Sequence, residues 1–386
     1  MPFVIGLFFL TTLLSLVIIS SKIWDTHHYL QIKNLITGID ISSIILNIML
    51  GFLLFAGSFH TSWKEIRSQL KPISLFAGAG VILSTIIIAG LFYGLCQLVS
   101  VPVNFIYCLI FGALISPTDP IAVLGILTKA NVPKKIESTI VGESLFNDGV
   151  GVVVFIALLE TLQLGNDKID FSHFGILFLR EALGGIIFGL ALGFLLHKLL
   201  RSIDNYETEV LLTIAFVMSG YAICTYLHLS GALAMVIMGL FVGNYKKDKA
   251  MSDHSSDYVH KFWELVDVIL NALLFISIAF VLVMIEFKTT YLIIGLFSVL
   301  IVLLSRFIIV YLPSLLLPGF TDMNNKEVKL IVWGGLRGGL SIAMVLSLPD
   351  IETRQILIIA TYTCVVFSIL VQGLTIEGVA RRFSKK

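Results

Sequence analysis

The chain has 386 residues, of which 57% are hydrophobic and only 13% are charged, and its formal net charge is +1. This composition, with a mean hydropathy of +0.98, excludes a water-soluble protein. The near-neutral charge and the lack of Lys/Arg tracts give no sign of a nucleic-acid partner. Long, continuously apolar runs predict helices that cross a lipid membrane.

Apolar segments separated by polar breaks predict an all-α membrane protein with about twelve spans, forming one unit over residues 1–386. In chain order the predicted spans cover about residues 2–20, 40–58, 72–99, 104–128, 138–162, 174–197, 209–227, 229–244, 262–286, 289–311, 327–348 and 355–378. Of the 26 Lys and Arg, 18 follow even-numbered spans and 5 follow odd-numbered ones. By the positive-inside rule, this asymmetry places both termini in the cytoplasm.

Five ionisable residues stand out within the predicted spans. They are Asp119, Glu143, Asp148, Arg306 and Arg337. A charge at the centre of a spanning helix costs roughly 2.5–3.5 kcal/mol on insertion scales, so each one requires a partner or a function. Structural ion pairs are the alternative to a functional site. However, three acids cannot all be neutralised by two bases, which leaves one acid for another role.

Span four contains the sequence Ser-Pro-Thr-Asp-Pro at residues 116–120. The two prolines remove backbone donors and disfavour helical geometry before them, which predicts a helix break at Thr118 and Asp119. At membrane depth such a break is tolerated where it is buried in protein or lines a water-filled cavity, and its free carbonyls can bind ions. A proline kink that serves packing alone does not require Thr and Asp between the prolines.

Span eleven carries a second interruption, Gly-Gly-Leu-Arg-Gly-Gly at residues 334–339. Spans four and eleven are an odd number of spans apart, so they cross the membrane in opposite directions. Two broken, antiparallel spans are typical of inverted repeats with a binding site at the crossing of two discontinuous helices. The glycines alone also fit a close helix-packing surface. The charged Arg337 among them favours a site.

Span five supplies two further acids that face in different directions. At 100° per residue, Ser144 and Asp148 lie about 40° apart around a helix, whereas Glu143 and Asp148 lie about 140° apart. This spacing predicts that Asp148 faces an ion pathway beside the Ser144 hydroxyl. Glu143 then forms a structural ion pair with an arginine. Asn147 offers dipoles beside Asp148 but no titratable charge.

A carboxylate removed from water is stable when it holds a proton or a cation. Oxygen ligands from Asp148, Asp119, Thr118 and Ser144 suit a hard monovalent ion such as Na⁺. If one carboxylate alternates between one proton and one Na⁺, the exchange is electroneutral. Li⁺ remains open as the transported ion, and so does K⁺ in a K⁺/H⁺ antiporter.

Two further alternatives come from other functional classes: a passive cation channel, and an intramembrane aspartyl hydrolase that uses Asp119 and Asp148. No peptidase-type motif accompanies these acids, so we expect no enzyme activity. The four cysteines lie in apolar runs at unrelated spacings, which suggests neither a disulfide framework nor a zinc site. We expect no cofactor.

The motifs at residues 116–120, 142–148, 305–306 and 334–338 occur in the order found in monovalent cation:proton antiporters, and the chain resembles this family over nearly its whole length. The family includes bacterial sodium/proton antiporters and animal sodium/hydrogen exchangers. The resemblance implies a core part, roughly 72–162 and 289–378. This core moves against a scaffold and dimerisation part, roughly 1–58 and 174–286. A homodimer in lipid, in a bacterial inner membrane, is also implied.

The resemblance also implies roles for single residues. Asp148 is the expected ion- and proton-binding acid, with Asp119, Thr118 and Ser144 nearby as Na⁺ ligands. Glu143 is expected to pair with Arg306 on span ten. Arg337 is expected to offset the charge of the helix ends at the crossing. The Asn147-Asp148 pair is similar to that of the electroneutral branch, and Asn147 is counted among the ion-binding residues.

Two departures from the family pattern bear on these expectations. Ala56 stands where many members have an acid, so one ion ligand is absent. Residues 1–6 resemble the start of the family's second helix, which implies either that a first helix is missing or that the gene start lies too far downstream. Near the start of span nine, Glu264 and Asp267 fit a solvated helix end, with a cytoplasmic funnel as the alternative.

Overall fold

A computed structural model describes residues 3–120, 124, 127, 132–163, 171–244, 252–285, 288–317, 323–349 and 352–384. All regular structure within these residues is helical. The helices are α1 (Phe3–Trp24), α2 (Thr26–Thr37), α3 (Leu50–His60), α4 (Trp63–Ser68), α5 (Leu70–Leu98), α6 (Phe105–Ile115), α7 (Lys134–Gln163), α8 (Phe171–Leu200), α9 (Tyr206–Tyr226), α10 (Gly231–Asn244), α11 (Asp253–Met284), α12 (Thr289–Leu316), α13 (Asn325–Gly334), α14 (Gly339–Leu346), α15 (Glu352–Phe367) and α16 (Gly373–Ser384). A helical turn at Ile41–Ile44 and a π-helical turn at Ile45–Met49 lead into α3.

In the part of the chain that the structure describes, nine helical segments are long and apolar enough to cross a membrane. The bent pair α13 and α14 adds a tenth, and α6 and α10 are shorter apolar helices. The prediction of an all-α, multi-spanning membrane protein is confirmed, while the count of twelve spans stays a prediction. The second half of the span predicted at 104–128 lies largely outside the described residues, as do Lys129, Lys168 and Lys246.

Helix α2 occupies a segment to which hydropathy assigns no span. Its first turn is capped by Asp25, whose carboxylate accepts a hydrogen bond from the His28 backbone N–H at 3.0 Å. Such capping satisfies a backbone donor that the helix itself leaves open. Polar residues along α2 hide it from a search for apolar runs, although the cap at Asp25 is a readable helix signal.

Two groups of helices can be distinguished by their packing. In one group α5 packs against α6 and α12, and the Ser84 and Ser305 hydroxyls lie 3.1 Å apart across the α5–α12 contact. In the other, α10 packs against α3 and α8, and α1 packs against α11. The Ser15 hydroxyl of α1 donates to the Ala279 carbonyl of α11 at 2.9 Å.

Small residues allow α10 to lie in the middle of its group. A Cβ atom built on Gly189 of α8 would lie 2.8 Å from the Cα of Ala234, and one on Gly243 would overlap the Phe59 carbonyl of α3. Close approach of backbones through glycine is a common means of helix association in membranes, where the apolar solvent provides no hydrophobic drive. The short helix α10 is therefore held on two sides by backbone-to-backbone packing.

Candidate ion-binding site

Helix α6 ends near the bend between helices α13 and α14, inside the protein. Helix α6 ends at Ile115, and residues 117–120 are not helical. Helices α13 and α14 are bent by 43° at a break between Gly334 and Gly339. The Asp119 backbone N–H donates to the Leu336 carbonyl at 2.8 Å, which joins the two breaks directly.

Two helices end here, α6 and α13. An arginine from another part of the chain contacts the carboxyl end of each one. Arg337 Nη1 donates to the Ser116 carbonyl and, at 3.0 Å, to the Pro117 carbonyl. Arg306 Nη2 donates to the Ile331 carbonyl at 3.2 Å. The carboxyl end of a helix presents unsatisfied carbonyls and a partial negative charge. The two arginines therefore supply both the missing donors and the opposite charge.

Glu143 and Arg306 form a two-pronged ion pair. Arg306 Nη1 donates to one carboxylate oxygen of Glu143, and Nη2 donates to the other at 2.9 Å. Only 1% of Glu143 and 6% of Arg306 is exposed. Bidentate pairing of this kind gives a strong, charge-assisted contact. Glu143 is thus engaged with Arg306, as the family resemblance implies, and it does not line the cavity beside the helix breaks.

A cavity of about 560 Å³ adjoins the breaks. Asp119 and Asp148 both line it, the first from the interrupted segment and the second from the middle of α7. It extends to His60 and Glu65, which lie beside the loop that the Lys/Arg distribution predicts to be cytoplasmic. Residues of α3, α7, α11 and α14 form its wall, together with the segment at residues 117–120. The two acids are therefore reachable from one end of the molecule.

Asp148 is half-buried, and its carboxylate accepts no hydrogen bond from any described residue. Two other predicted site residues, Thr118 and Ser144, line the same cavity. The Ser144 hydroxyl donates to the Thr118 carbonyl at 2.6 Å, so its oxygen lone pairs remain available. The sequence-predicted set Thr118, Asp119, Ser144 and Asp148 is thus gathered around one space.

Asn147 occupies a different position from these four residues. Its Nδ2 donates to Thr118 Oγ1 at 2.8 Å, and its Oδ1 accepts from the Thr118 backbone N–H at 3.3 Å. It is 1% exposed and lies off the cavity wall. The structure therefore places Asn147 as a support for the broken segment, whereas the sequence grouped it with the ion ligands.

The glycines of the second break make room for charged side chains. A Cβ atom on Gly335 would lie 2.5 Å from Arg306 Nε, and one on Gly338 would lie 2.6 Å from the Asp119 Cβ. A side chain at either position would therefore force the neighbouring charged side chain to shift. From the sequence, these glycines fitted either a packing surface or an ion site. In the structure, close packing brings Gly335 against Arg306 and Gly338 against Asp119.

Asp267 and Asn271 of α11 line the same cavity. The interpretation of Asp267 as part of a solvated helix end is wrong, because Asp267 is half-buried and faces this space. The signal was present in the spacing of Asp267, Asn271 and Leu274, which share one helix face and all line the cavity. Ala56 is fully buried and does not line it.

Comparison with known proteins identifies the family of this chain. A family model described as sodium/hydrogen exchanger, transmembrane, matches residues 1–382. The chain belongs to this family. It is 46% identical over 356 residues to the Na⁺/H⁺ antiporter NhaP of Pseudomonas aeruginosa, covering 91% of this chain and 84% of that one. It is 36% identical over 349 residues to the antiporter NhaH of Halobacillus dabanensis, covering 89% and 82%.

The exchanger fold is also seen in a solved structure. The sodium proton antiporter MjNhaP1 from Methanocaldococcus jannaschii at pH 8 matches with a TM-score of 0.73 over 99% of both chains, at 19% identity. That likeness establishes the fold. The family resemblance drawn from the four sequence motifs is confirmed, and the exchanger is a multi-pass membrane protein of a transporter family.

Proposed function

We propose that this exchanger transports one Na⁺ against one H⁺, with both ions competing for Asp148. The observation that carries the proposal is the cavity that Asp148 and Asp119 share, beside the end of α6 and the bend between α13 and α14. Relatives that share up to 46% of aligned residues bear the name Na⁺/H⁺ antiporter, which supports Na⁺ as the cation.

Competition follows from the surroundings of Asp148. A half-buried carboxylate without a hydrogen-bond donor is poorly solvated as a free anion, and a bound proton or cation relieves that cost. The two states exclude each other because both use the same oxygen atoms. An empty, charged Asp148 is the least stable state and therefore the one least suited to crossing the membrane.

Four residues supply oxygen ligands for the cation. They are the two carboxylates, Asp119 and Asp148, and the Thr118 and Ser144 oxygens. A set made only of oxygens suits a hard cation, and water from the cavity completes the shell. Asn147 contributes indirectly, because its two bonds hold Thr118 at the edge of the cavity.

The one-to-one ratio rests on the pairing of the other charges. Glu143 is bound to Arg306, and Asn147 cannot ionise. Asp119 lies against Gly338 and is joined to the second break through its backbone. We assign it to cation binding and not to proton transport. If Asp148 is the one acid that carries the transported proton, each cycle exchanges equal charges.

The proposal includes alternating access, which the make-up of the cavity wall supports. The walls come from α3 and α11 on one side and from α7, α14 and the first break on the other. Movement of residues 72–162 and 289–378, as a core, against a scaffold of 1–58 and 174–286 closes this opening and opens one on the opposite side. The proposal includes a homodimer held by the scaffold.

A dequenching assay in proteoliposomes tests the proposal. A pH gradient is imposed, and its collapse is followed after addition of Na⁺, Li⁺ or K⁺. We expect rapid collapse with Na⁺ in the wild type and none in Asp148→Asn. The matched control is Asp257→Asn, which changes an exposed aspartate of α11 and should leave exchange intact.

Each other outcome of this assay would contradict one part of the proposal. Retained exchange in Asp148→Asn would reject Asp148 as the carrier. A response to K⁺ alone would make the protein a K⁺/H⁺ antiporter. Cation flux that continues without proton counterflow would indicate a channel. Current that tracks the membrane voltage during turnover would reject electroneutral exchange.

A further inference from the structure

Two histidines from different helices meet at the mouth of the cavity. His60 is the last residue of α3 and lines the cavity, and His260 lies in the third turn of α11. Their Nδ1 atoms are 3.3 Å apart, and the ring centroids are 5.3 Å apart. Neither ring takes part in the ion site formed by Asp148 and Asp119, so the pair calls for an explanation of its own.

The separation of the two nitrogens matches that of two ligands on one tetrahedral zinc ion. Zn–N bonds of about 2.0–2.1 Å at a tetrahedral angle place the two nitrogens about 3.3 Å apart. The His260 ring also packs on Phe59, with centroids 4.6 Å apart, and this contact limits how far the ring can turn. A zinc ion can therefore bond both Nδ1 atoms with little rearrangement.

The protonation states are compatible with this binding. A neutral imidazole carries its proton on one nitrogen and presents a lone pair on the other. In the pair as it stands, one Nδ1–H can donate to the other Nδ1. When zinc binds, that ring shifts its proton to Nε2, so two neutral imidazoles hold the ion and no net proton is released. Imidazole nitrogen is a preferred zinc ligand.

Glu264 follows His260 by four residues, so both side chains project from the same face of α11. Within the described residues, no group of three or more His, Cys, Asp or Glu side chains is already gathered around a metal position. The proposed site is therefore an open one, with the two histidines as its protein ligands and water in the remaining positions. Open sites exchange their metal, in contrast to closed structural zinc sites.

We propose that His60 and His260 form a zinc-binding site at the cavity mouth, and that zinc bound there inhibits cation exchange. A divalent ion at this place repels an incoming monovalent cation and narrows its path. Both ligands belong to the helix group opposite Asp148, so the metal blocks the entrance without touching the ion-binding residues. The inhibition is one-sided, because the cavity opens at the end predicted to be cytoplasmic.

Calorimetric titration of Zn²⁺ into the purified full-length protein, with any affinity tag removed, tests the binding step without transport. We expect one zinc ion per chain in the wild type. His60→Ala and His260→Ala should each weaken binding by about tenfold or more, since even changes around metal ligands cost that much. His254→Ala is the matched control: this exposed histidine lies on the same helix and should leave binding unchanged.

Transport then tests the inhibition. Zinc added on the cytoplasmic side of vesicles should slow Na⁺-driven collapse of the pH gradient, and a chelator should restore it. The His60→Ala protein should resist zinc, measured as the ratio of its own exchange rates with and without zinc. Equal zinc affinity in the wild type and in the double variant His60→Ala/His260→Ala would overturn the site. Full exchange at saturating zinc would overturn the inhibition. If the wild type shows no exchange at all, the proposed function fails, while the titration still decides the zinc site.

Discussion

Asn147 bonds twice to Thr118, once through each end of its side-chain amide. Asn147 directly precedes Asp148, and Thr118 directly precedes Asp119. The two bonds therefore fix the distance between the two acids that face the cavity. An asparagine suits this place because it supplies a donor for the Thr118 hydroxyl and an acceptor for the Thr118 N–H at the same time.

Asn147→Ala removes both bonds and leaves a buried backbone N–H without its partner. We expect a loss of about 1–3 kcal/mol in the free energy of unfolding. We also expect a rise of about tenfold in the KM for Na⁺, because misplaced ligands weaken cation binding. Thermal unfolding and the dequenching assay measure the two effects. The control Asn34→Ala alters an exposed residue of α2, and unchanged KM in both variants would show that Thr118 is held by other means.

Gly338 lies against the Asp119 side chain in the second break. Gly338→Ala places a methyl group against the Asp119 side chain, which must then leave its position. Exchange should fall at least about tenfold, because the cation loses one carboxylate ligand. Gly90→Ala is the matched control, since a Cβ at Gly90 meets no atom within 4 Å and alanine favours the helix. Equal exchange rates in the two variants would exclude a role for this close approach.

Much of the site was predictable because its signals are local in the sequence. Prolines on both sides of Thr118 and Asp119 predict a break in the helix. The spacing of Ser144 and Asp148 places both on one face of a helix. Hydropathy likewise locates the spanning helices. These inferences need only the geometry of a single helix and the cost of charge in a membrane.

Contacts between different helices were harder to predict from the sequence. The place of Asn147 under Thr118 and of Asp267 on the cavity wall depends on how separate helices are rotated and packed. Local spacing shows that Asp267, Asn271 and Leu274 share one helix face, but it does not show which space that face meets. The same limit applies to His60 and His260, which are two hundred residues apart in sequence and adjacent only after α3 and α11 have packed.

The buried pair of Glu143 and Arg306 gives a stability prediction. Glu143→Ala or Arg306→Ala alone leaves an uncompensated buried charge and should cost about 3–5 kcal/mol. The double variant should lose less than the sum of the two, because neither charge remains. Chemical or thermal unfolding in detergent measures these differences. Glu377→Ala breaks an exposed pair with Arg381 and should cost under about 1 kcal/mol. Additive losses at Glu143 and Arg306 would contradict direct pairing.

Competition at Asp148 predicts how Na⁺ affinity depends on pH. Lower pH raises the proton concentration, so more Asp148 is protonated and less is open to Na⁺. The apparent KM for Na⁺ should therefore rise as pH falls, by up to about tenfold per pH unit, which is the limit for one competing proton. Dequenching rates at several Na⁺ concentrations, repeated across the pH range, give this slope.

The variant Asp119→Asn distinguishes the role of Asp119 from that of Asp148 in the same measurement. This variant loses a cation ligand, so its KM for Na⁺ should be higher at every pH. Its slope against pH should nevertheless match that of the wild type, because the competing proton resides on Asp148. If the KM of Asp119→Asn for Na⁺ did not change with pH, the competing proton would reside on Asp119 and not on Asp148. If the KM changed by more than tenfold per pH unit, a second proton would have to compete. In either case the one-to-one exchange at Asp148 would be wrong.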